Sequence, residues 1–317
     1  MLARLQQLIT LGLVAALIGW VGAHLAQGRP GMAAVGATVI LGGHAVVLAL
    51  EGFVMAWFNR RDVLPAATPA QVFTAWWGEV CSAPRIFCWQ QPFRSRAWPD
   101  RTTGRPGQRG VVLVHGFVCN RGLWNRWMPR LAALDVPVVA VNLEPVFGDI
   151  DDYGAPIGEA IDSLRASTGL APLVVAHSMG GLAVRAWLRR HGGPDGPHRV
   201  HHVLTLGTPH GGTALACIAL SPNTRQMARL GDWLNDLSAN ESPALQARFT
   251  CVYSNCDNIV FPTSTATLPL ARNVAIEACA HVHMVDHPRA LELALEQLRM
   301  PSPDASPVRE PALGSPP

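Results

Sequence analysis

The 317-residue sequence contains no lysine; all 25 basic residues other than histidine are arginine. A GC-rich coding sequence accounts for that bias, and we attach no function to it. Charged residues make up 15% of the chain, below the ordinary quarter or so. The formal net charge is only +3, which gives no case for a nucleic-acid partner. Seven cysteines are scattered, with no CxxC and no Cys/His spacing of a zinc site. The chain is therefore expected to need no metal and no cofactor. Cys81 with Cys88, and Cys251 with Cys256, either pair in an oxidising compartment or stay as free thiols. No internal repeat is present.

What the sequence has in excess is apolar residues, 49% of the chain, and they are concentrated at the N-terminus. Residues 5–26 and 32–58 are two apolar runs, each longer than the roughly 20 residues that cross a bilayer as a helix. Gln27-Gly28-Arg29-Pro30-Gly31 separates them and reads as a turn. The expectation is a transmembrane hairpin. Ala15, Gly19 and Ala23 lie on one helix face and are expected to let the partner helix approach. Glu51 is costly in lipid unless it faces a partner or the interface. Trp57 and Arg60-Arg61 read as an interfacial anchor. A cleaved signal peptide, with Val21-Gly22-Ala23 at the cleavage site, is one alternative; a buried soluble helical pair is another. Arg4 and Arg60-Arg61 outnumber Arg29, which places both ends of the hairpin in the cytoplasm. The expected location is a bacterial inner membrane, with the following domain on the cytoplasmic side. Residues 1–58 are expected to anchor and to do no chemistry, so a chain starting near Asp62 is expected to keep its activity.

Behind the hairpin, residues 61–110 read as a junction. Thr68-Pro69 marks an N-cap and a first helical proline, and Arg85 to Arg94 is expected to form edge strands. From 111 onward the pattern alternates. Apolar runs at 111–114, 136–141, 172–175, 203–206, 249–254 and 274–278 read as strands. Helical patterns at about 121–133, 154–168, 180–191 and 286–299 lie between them. Such alternation predicts an α/β class: a mostly parallel sheet flanked by helices, spanning 111–300. Residues 213–247 read as a helical cap or, equally, as packed core helix. The tail, 301–317, is Pro-rich and expected to be disordered.

The chemistry centres on Val174-Val175-Ala176-His177-Ser178-Met179-Gly180-Gly181. A buried strand, a tight turn with a central serine, and a helix make a nucleophile elbow. Ala176 and Gly180 supply the small residues the turn needs. A serine hydroxyl requires a base, and the base an orienting acid. Among Asp232, Asp236, Glu241, Asp257, Glu277 and Asp286, only Asp257 stands just beyond a strand end. His281, His283 and His287 are the candidate bases; His281 comes first in its loop, with His283 as runner-up. His287 reads as a helix-start residue. His115 and His210 each follow a strand and are read as loop-fixing. The backbone N–H groups of Phe117 and Met179 are placed to bind an oxyanion.

VLVHGF at 112–117, AHSMGGL at 176–182, LGTPHGGT at 206–213, and Asp257 with His281 together resemble a bacterial lipase/esterase of the α/β-hydrolase superfamily. The AHSMGG string also occurs in small Bacillus lipases. The resemblance covers about 110–300 and says nothing of the hairpin. It implies an α/β-hydrolase fold, Ser178 as nucleophile, Asp257 as acid, His281 as base, and Phe117 and Met179 as oxyanion donors. The family usually has Gly before that histidine, where this chain has Ala280. No matched pair of calcium ligands, of the kind some larger lipases carry, is evident. The expected function is a membrane-anchored serine ester hydrolase acting on an acyl ester or lipid. Phe117, Val118, Leu123, Trp124 and segment 213–247 are expected to line its acyl pocket. Two alternatives are acyl transfer by the same residues and a non-catalytic membrane interaction protein on a hydrolase scaffold.

Overall fold

The computed structural model describes residues 1–191, 199–218 and 220–301. The tail beyond Pro301 lies outside the described residues. Two helices lead the chain, α1 (Leu2–Ala26) and α2 (Pro30–Asn59), both long and apolar enough to cross a membrane. They pack on each other, but not through the expected stripe. Ala15, Gly19 and Ala23 are exposed. The close approach is at Gly36, where an added Cβ would stand 1.9 Å from Trp20 Nε1. Trp20 decides the face: its indole donates to the Met32 carbonyl at 2.8 Å, so the ring needs a partner without a side chain.

The pair is not a free-standing unit. Gln6 and Gln7 of α1 donate to Gln91 Oε1 at 3.0 Å and the Pro92 carbonyl at 2.6 Å. On α2, Gly52, Met55 and Asn59 form a buried face at helical spacing. Met55 clusters with Cys256, Phe261 and Ala280. Asn59 Oδ1 accepts from the Thr263 N–H at 3.1 Å. A boundary at residue 60 therefore cuts through a packed interface. Glu51 faces a partner: it accepts from Asn258 Nδ2 at 2.7 Å.

The next helix, α3 (Pro69–Pro84), opens on the expected N-cap. Thr68 and Gln71 exchange side-chain and backbone bonds in a capping box. It then runs back along α2; Trp76 Nε1 donates to the Ala45 carbonyl at 2.8 Å. The edge strands expected over Arg85–Arg94 are absent. That stretch is a π-helical turn, Arg85–Gln90, leading into α4 (Gln91–Phe93). Ser82, Ile86 and Gln91 are buried, spaced four and then five apart, with Pro92 buried beside Gln91. Such spacing belongs to a helix widened by one residue, not to a strand's period of two.

The sheet has six strands: β1 (Val111–Val114), β2 (Val138–Ala140), β3 (Leu173–His177), β4 (His202–Leu206), β5 (Phe249–Tyr253) and β6 (Arg272–Ala275). Their order is β2-β1-β3-β4-β5-β6, and every neighbouring pair is parallel. All six coincide with the apolar runs of the sequence to within a few residues. Alternate residues of β1 feed two cores. Val112 and Val114 pack with α6 (Gly154–Thr168) and α7 (Met179–His191) on one face. Val111 and Leu113 pack with α5 (Trp127–Ala133) and α12 (Pro288–Arg299) on the other. Helices covering both faces explain why the central strands are largely apolar, whereas β6, at the sheet edge, begins with exposed Arg272 and Asn273.

The chain reverses its direction of sheet growth between β1 and β3. Ligands of open α/β sheets bind at that crevice, beyond the carboxyl ends of the strands. His115-Gly116 and Ser178 emerge there. Segment 213–247 folds into short helices, α8 (Pro222–Gln226), α9 (Asp232–Ala239) and α10 (Pro243–Gln246). It is partly core and partly cover: Leu234, Leu237 and Leu245 are buried in the core, whereas other residues overhang the crevice. All seven cysteines are free thiols.

Candidate active site

Ser178 sits between β3 and α7 with φ of +56°, a left-handed conformation that non-glycine residues rarely adopt. Such strain persists only where its surroundings over-determine it, and it concentrates at functional sites. The Ser178 N–H donates to the Leu206 carbonyl at 2.9 Å, and the Ser178 carbonyl accepts from Thr208 Oγ1 at 2.9 Å. Gly180 is required by space: a Cβ there would lie 2.5 Å from the His115 carbonyl oxygen. A Cβ on Gly116 would lie 2.7 Å from the Ser178 Cβ. The glycines thus let α7 and the loop after β1 close around the serine. Met179 is the first residue of α7, where a backbone N–H has no partner within the helix.

Asp257 and His281 reach this point from two other loops. His281 Nδ1 lies 2.9 Å from Asp257 Oδ2, and both side chains are buried. Asp257 Oδ1 accepts from the N–H groups of Ile259 at 2.9 Å and Val260 at 2.8 Å. The carboxylate is thereby fixed with one oxygen aimed at the ring. Burial pulls the His281 pKa down, but the charge and hydrogen bond of Asp257 outweigh it, and the net shift is upward. The end of β4 joins the three residues: Leu206 bonds Ser178, and a Cβ on Gly207 would stand 2.8 Å from Asp257 Oδ2 and 3.1 Å from His281 Nδ1. Gly207, with φ of +57°, leaves room for the pair.

The other candidates are engaged elsewhere. His283 holds a backbone bond to Glu79, and its ring lies against Gly78 and Cys279. His287 caps α12, its Nδ1 accepting from the Arg289 N–H at 3.2 Å. His115 ties its loop: Nε2 accepts from the Leu143 N–H at 3.0 Å, and Nδ1 lies 2.9 Å from the Gly116 carbonyl. Burial pushes its pKa down to about 4, so it is neutral. His210 bonds Thr205 Oγ1 at 3.0 Å, and burial holds its pKa well below the usual value. Asp286 pairs with Arg85, Asp236 with Arg189, and Glu277 with the Gln71 side chain. Glu241 forms a buried ion pair with Arg185 at 2.6 Å.

A pocket of about 370 Å³ opens at Ser178. Phe117, Phe147, Leu215, Leu220, Met227 and Val260 give it an apolar wall. Phe117 and segment 213–247 do line the pocket, but Val118, Leu123 and Trp124 are not among its lining residues. Leu123 and Trp124 fall on a 3-10 turn, Arg121–Trp124, that directs them into the core beneath the sheet, beside Ile86. Phe147 takes that role instead, packed edge-on against Phe117 with centroids 5.8 Å apart.

The model of a family described as alpha/beta hydrolase fold matches residues 110–256. Together with the six-stranded parallel sheet, that match decides the architecture. The chain has the α/β-hydrolase fold. Its matched region ends one residue before Asp257. Among solved structures, it resembles the mature form of the Bacillus licheniformis lipase BlEst2 with a TM-score of 0.54 and 18% identity, covering 62% of this chain and 95% of that one. It also resembles Aspergillus fumigatus lipase B with a TM-score of 0.54 and 22% identity, covering 62% of this chain and 54% of that one. No curated protein sequence matches the chain. The family match begins at residue 110, beyond the N-terminal helices.

Two further groups lie near the site. Glu79 of α3 is buried and bonds the loop of His281. His177 Nε2 lies 3.2 Å from the His281 carbonyl, with the two rings 4.6 Å apart. Glu79 lies in a stretch read only as a short helix, and its partners are more than 200 residues away.

Proposed function

We propose that the protein is a membrane-anchored serine ester hydrolase of acyl esters. The observation that carries this reading is a strained Ser178 on the wall of an apolar pocket, with the buried His281–Asp257 pair packed at the end of β4 beside it. Ser178 Oγ attacks the ester carbonyl as His281 Nε2 takes its proton. Asp257 holds the opposite ring nitrogen and stabilises the imidazolium that forms. The Phe117 and Met179 N–H groups receive the oxyanion, an interaction worth about 3–4 kcal/mol per donor in related chemistry. His281 returns the proton to the leaving alcohol. Water, activated by the same histidine, then releases the acyl group. The wall of Phe117, Phe147, Leu220 and Met227 takes the acyl chain, and the likeness to two solved lipases fits such a substrate.

The two apolar helices support the anchor. Such an anchor would hold the apolar pocket close to lipid. The test is labelling of the full-length chain with a fluorophosphonate, followed by hydrolysis of esters of graded chain length. Wild-type protein is expected to label and Ser178→Ala to stay unlabelled. Equal labelling of the two, or no hydrolysis of any ester, rejects the reading.

A further inference from the structure

Three consecutive backbone N–H groups of the base loop are held by side chains. His281 N–H donates to Asn258 Oδ1 at 3.1 Å. Val282 N–H donates to Glu79 Oε1 at 3.0 Å, and His283 N–H to Glu79 Oε2 at 2.8 Å. Asn258 is itself oriented by Glu51, whose Oε2 accepts from Asn258 Nδ2 at 2.7 Å. None of these acceptors belongs to the sheet. Glu79 comes from α3 and Glu51 from α2.

Burying a carboxylate is expensive unless hydrogen bonds compensate it. Glu79 is 2% exposed, and both of its oxygens are used on one loop. Bonds of this kind, with an ionised acceptor, are stronger than neutral ones. Burial raises the Glu79 carboxyl to about 7, against the pull of the His283 and Val282 N–H groups and of His281 itself. The packing is tight enough that a Cβ on Gly78 would lie 2.4 Å from the His283 ring. A general base must be held to a fraction of an ångström, and misplacement by about 1 Å can cost on the order of 10²-fold in rate.

We propose that Glu79 and, through Asn258, Glu51 are positioning residues that set the place of His281, so that the N-terminal helices complete the catalytic site. This rests on His281 being the base. Neither carboxylate touches the substrate; each acts through the backbone of the base loop. The loop that carries His281 is thus supported by helices that precede the hydrolase domain.

The test uses the full-length chain in detergent and a short soluble ester. In Glu79→Gln an amide NH₂ faces a backbone N–H, and kcat is expected to fall about 10- to 100-fold with KM within roughly threefold of wild type. Glu51→Leu is expected to lower kcat by about tenfold, and Glu51→Gln, which keeps an acceptor for Asn258, to recover most of that loss. The double variant Glu51→Leu/Asn258→Ala is expected to be no worse than Asn258→Ala alone, because the two act in series. Thermal melts report whether each variant is folded; if Glu79→Gln does not fold, the Glu51 series decides. Wild-type kcat in a folded Glu79→Gln or in Glu51→Leu overturns the proposal, as does a Glu51→Gln no better than Glu51→Leu. Ser178→Ala and His281→Ala separate this from the underlying reading. If either of them keeps wild-type activity, the serine hydrolase assignment fails; if both are inactive while Glu79→Gln and Glu51→Leu are not, only the positioning role fails.

Discussion

Ser178 and His281 are each held in a conformation that a single contact would not maintain. Ser178 sits at a φ of +56° between a strand and a helix, and His281 is buried against Asp257. Removing the nucleophile is expected to cost on the order of 10⁶ in turnover without unfolding the chain; ester hydrolysis by purified Ser178→Ala checks this. His281→Ala should be nearly as severe, and His287→Ala, which removes only a cap, mild. His283→Ala is expected to retain most activity, since the ring of His283 lies away from Asp257. The raised pKa of His281 has a directional consequence. In the proposed mechanism the neutral ring is the base, so kcat/KM should rise with pH through an inflection above the ordinary histidine value of 6.5. Asp257→Asn removes the charge that raises it and leaves burial, which lowers it. In that variant the residual rate, reduced by about 10⁴-fold, should show its inflection displaced to lower pH. An unmoved or rising inflection in a pH–rate profile contradicts the Asp257 pairing.

At the scale of elements, two joints hold the site in shape. The first is Arg185 of α7. It is fully buried and pairs with Glu241 at 2.6 Å, and it donates to the His210 carbonyl at 3.0 Å and Ser238 Oγ at 3.1 Å. It thereby ties the elbow helix, the loop after β4 and the pocket-covering segment together. Removing one member of such a pair strands the other charge, so Arg185→Met and Glu241→Ala are each expected to destabilise the fold by about 3–5 kcal/mol. Chemical denaturation measures it; a loss within experimental error of zero contradicts a structural role. The second joint is the face of α2 formed by Glu51, Gly52, Met55 and Asn59. A chain starting at Asp62 loses the Met55 packing and the bonds to Thr263 and Asn258. It is therefore expected to be much less active than the full chain on a short ester, or to precipitate. This reverses what the hydropathy of the segment implies, because hydropathy counts apolar residues and is silent on what each face of the helix touches.

For the molecule as a whole, the proposed anchor and the hydrolase domain share one structure. The distal parts of α1 and α2 carry exposed Leu, Val and Ile side chains, whereas the first turns of α1 and the last turns of α2 pack on the domain. The full-length chain is expected to sediment with membranes and to resist alkaline carbonate extraction, with release of the intact chain as the contrary result. If α1 were instead removed as a signal sequence, the mature protein would begin beyond Val21-Gly22-Ala23, which N-terminal sequencing reads directly.

The six strands and the strand–turn–helix around Ser178 were legible in the sequence because each is local. A strand buried on both faces is a continuous apolar run, and a tight turn announces itself by small residues. The π-helical turn over Arg85–Gln90 was not legible, since six residues are too few to show a helical period. The pocket wall was misread at Leu123 and Trp124, because an apolar residue after a strand faces the core or the crevice according to the turn it sits on. Glu79 had no signature at all, and Glu51 stood out only as a charge in an apolar run, with nothing to name its partner. A carboxylate's partner is fixed by which helix face meets which loop, 200 residues apart in Glu79–Val282, and that meeting exists only once the tertiary packing is complete.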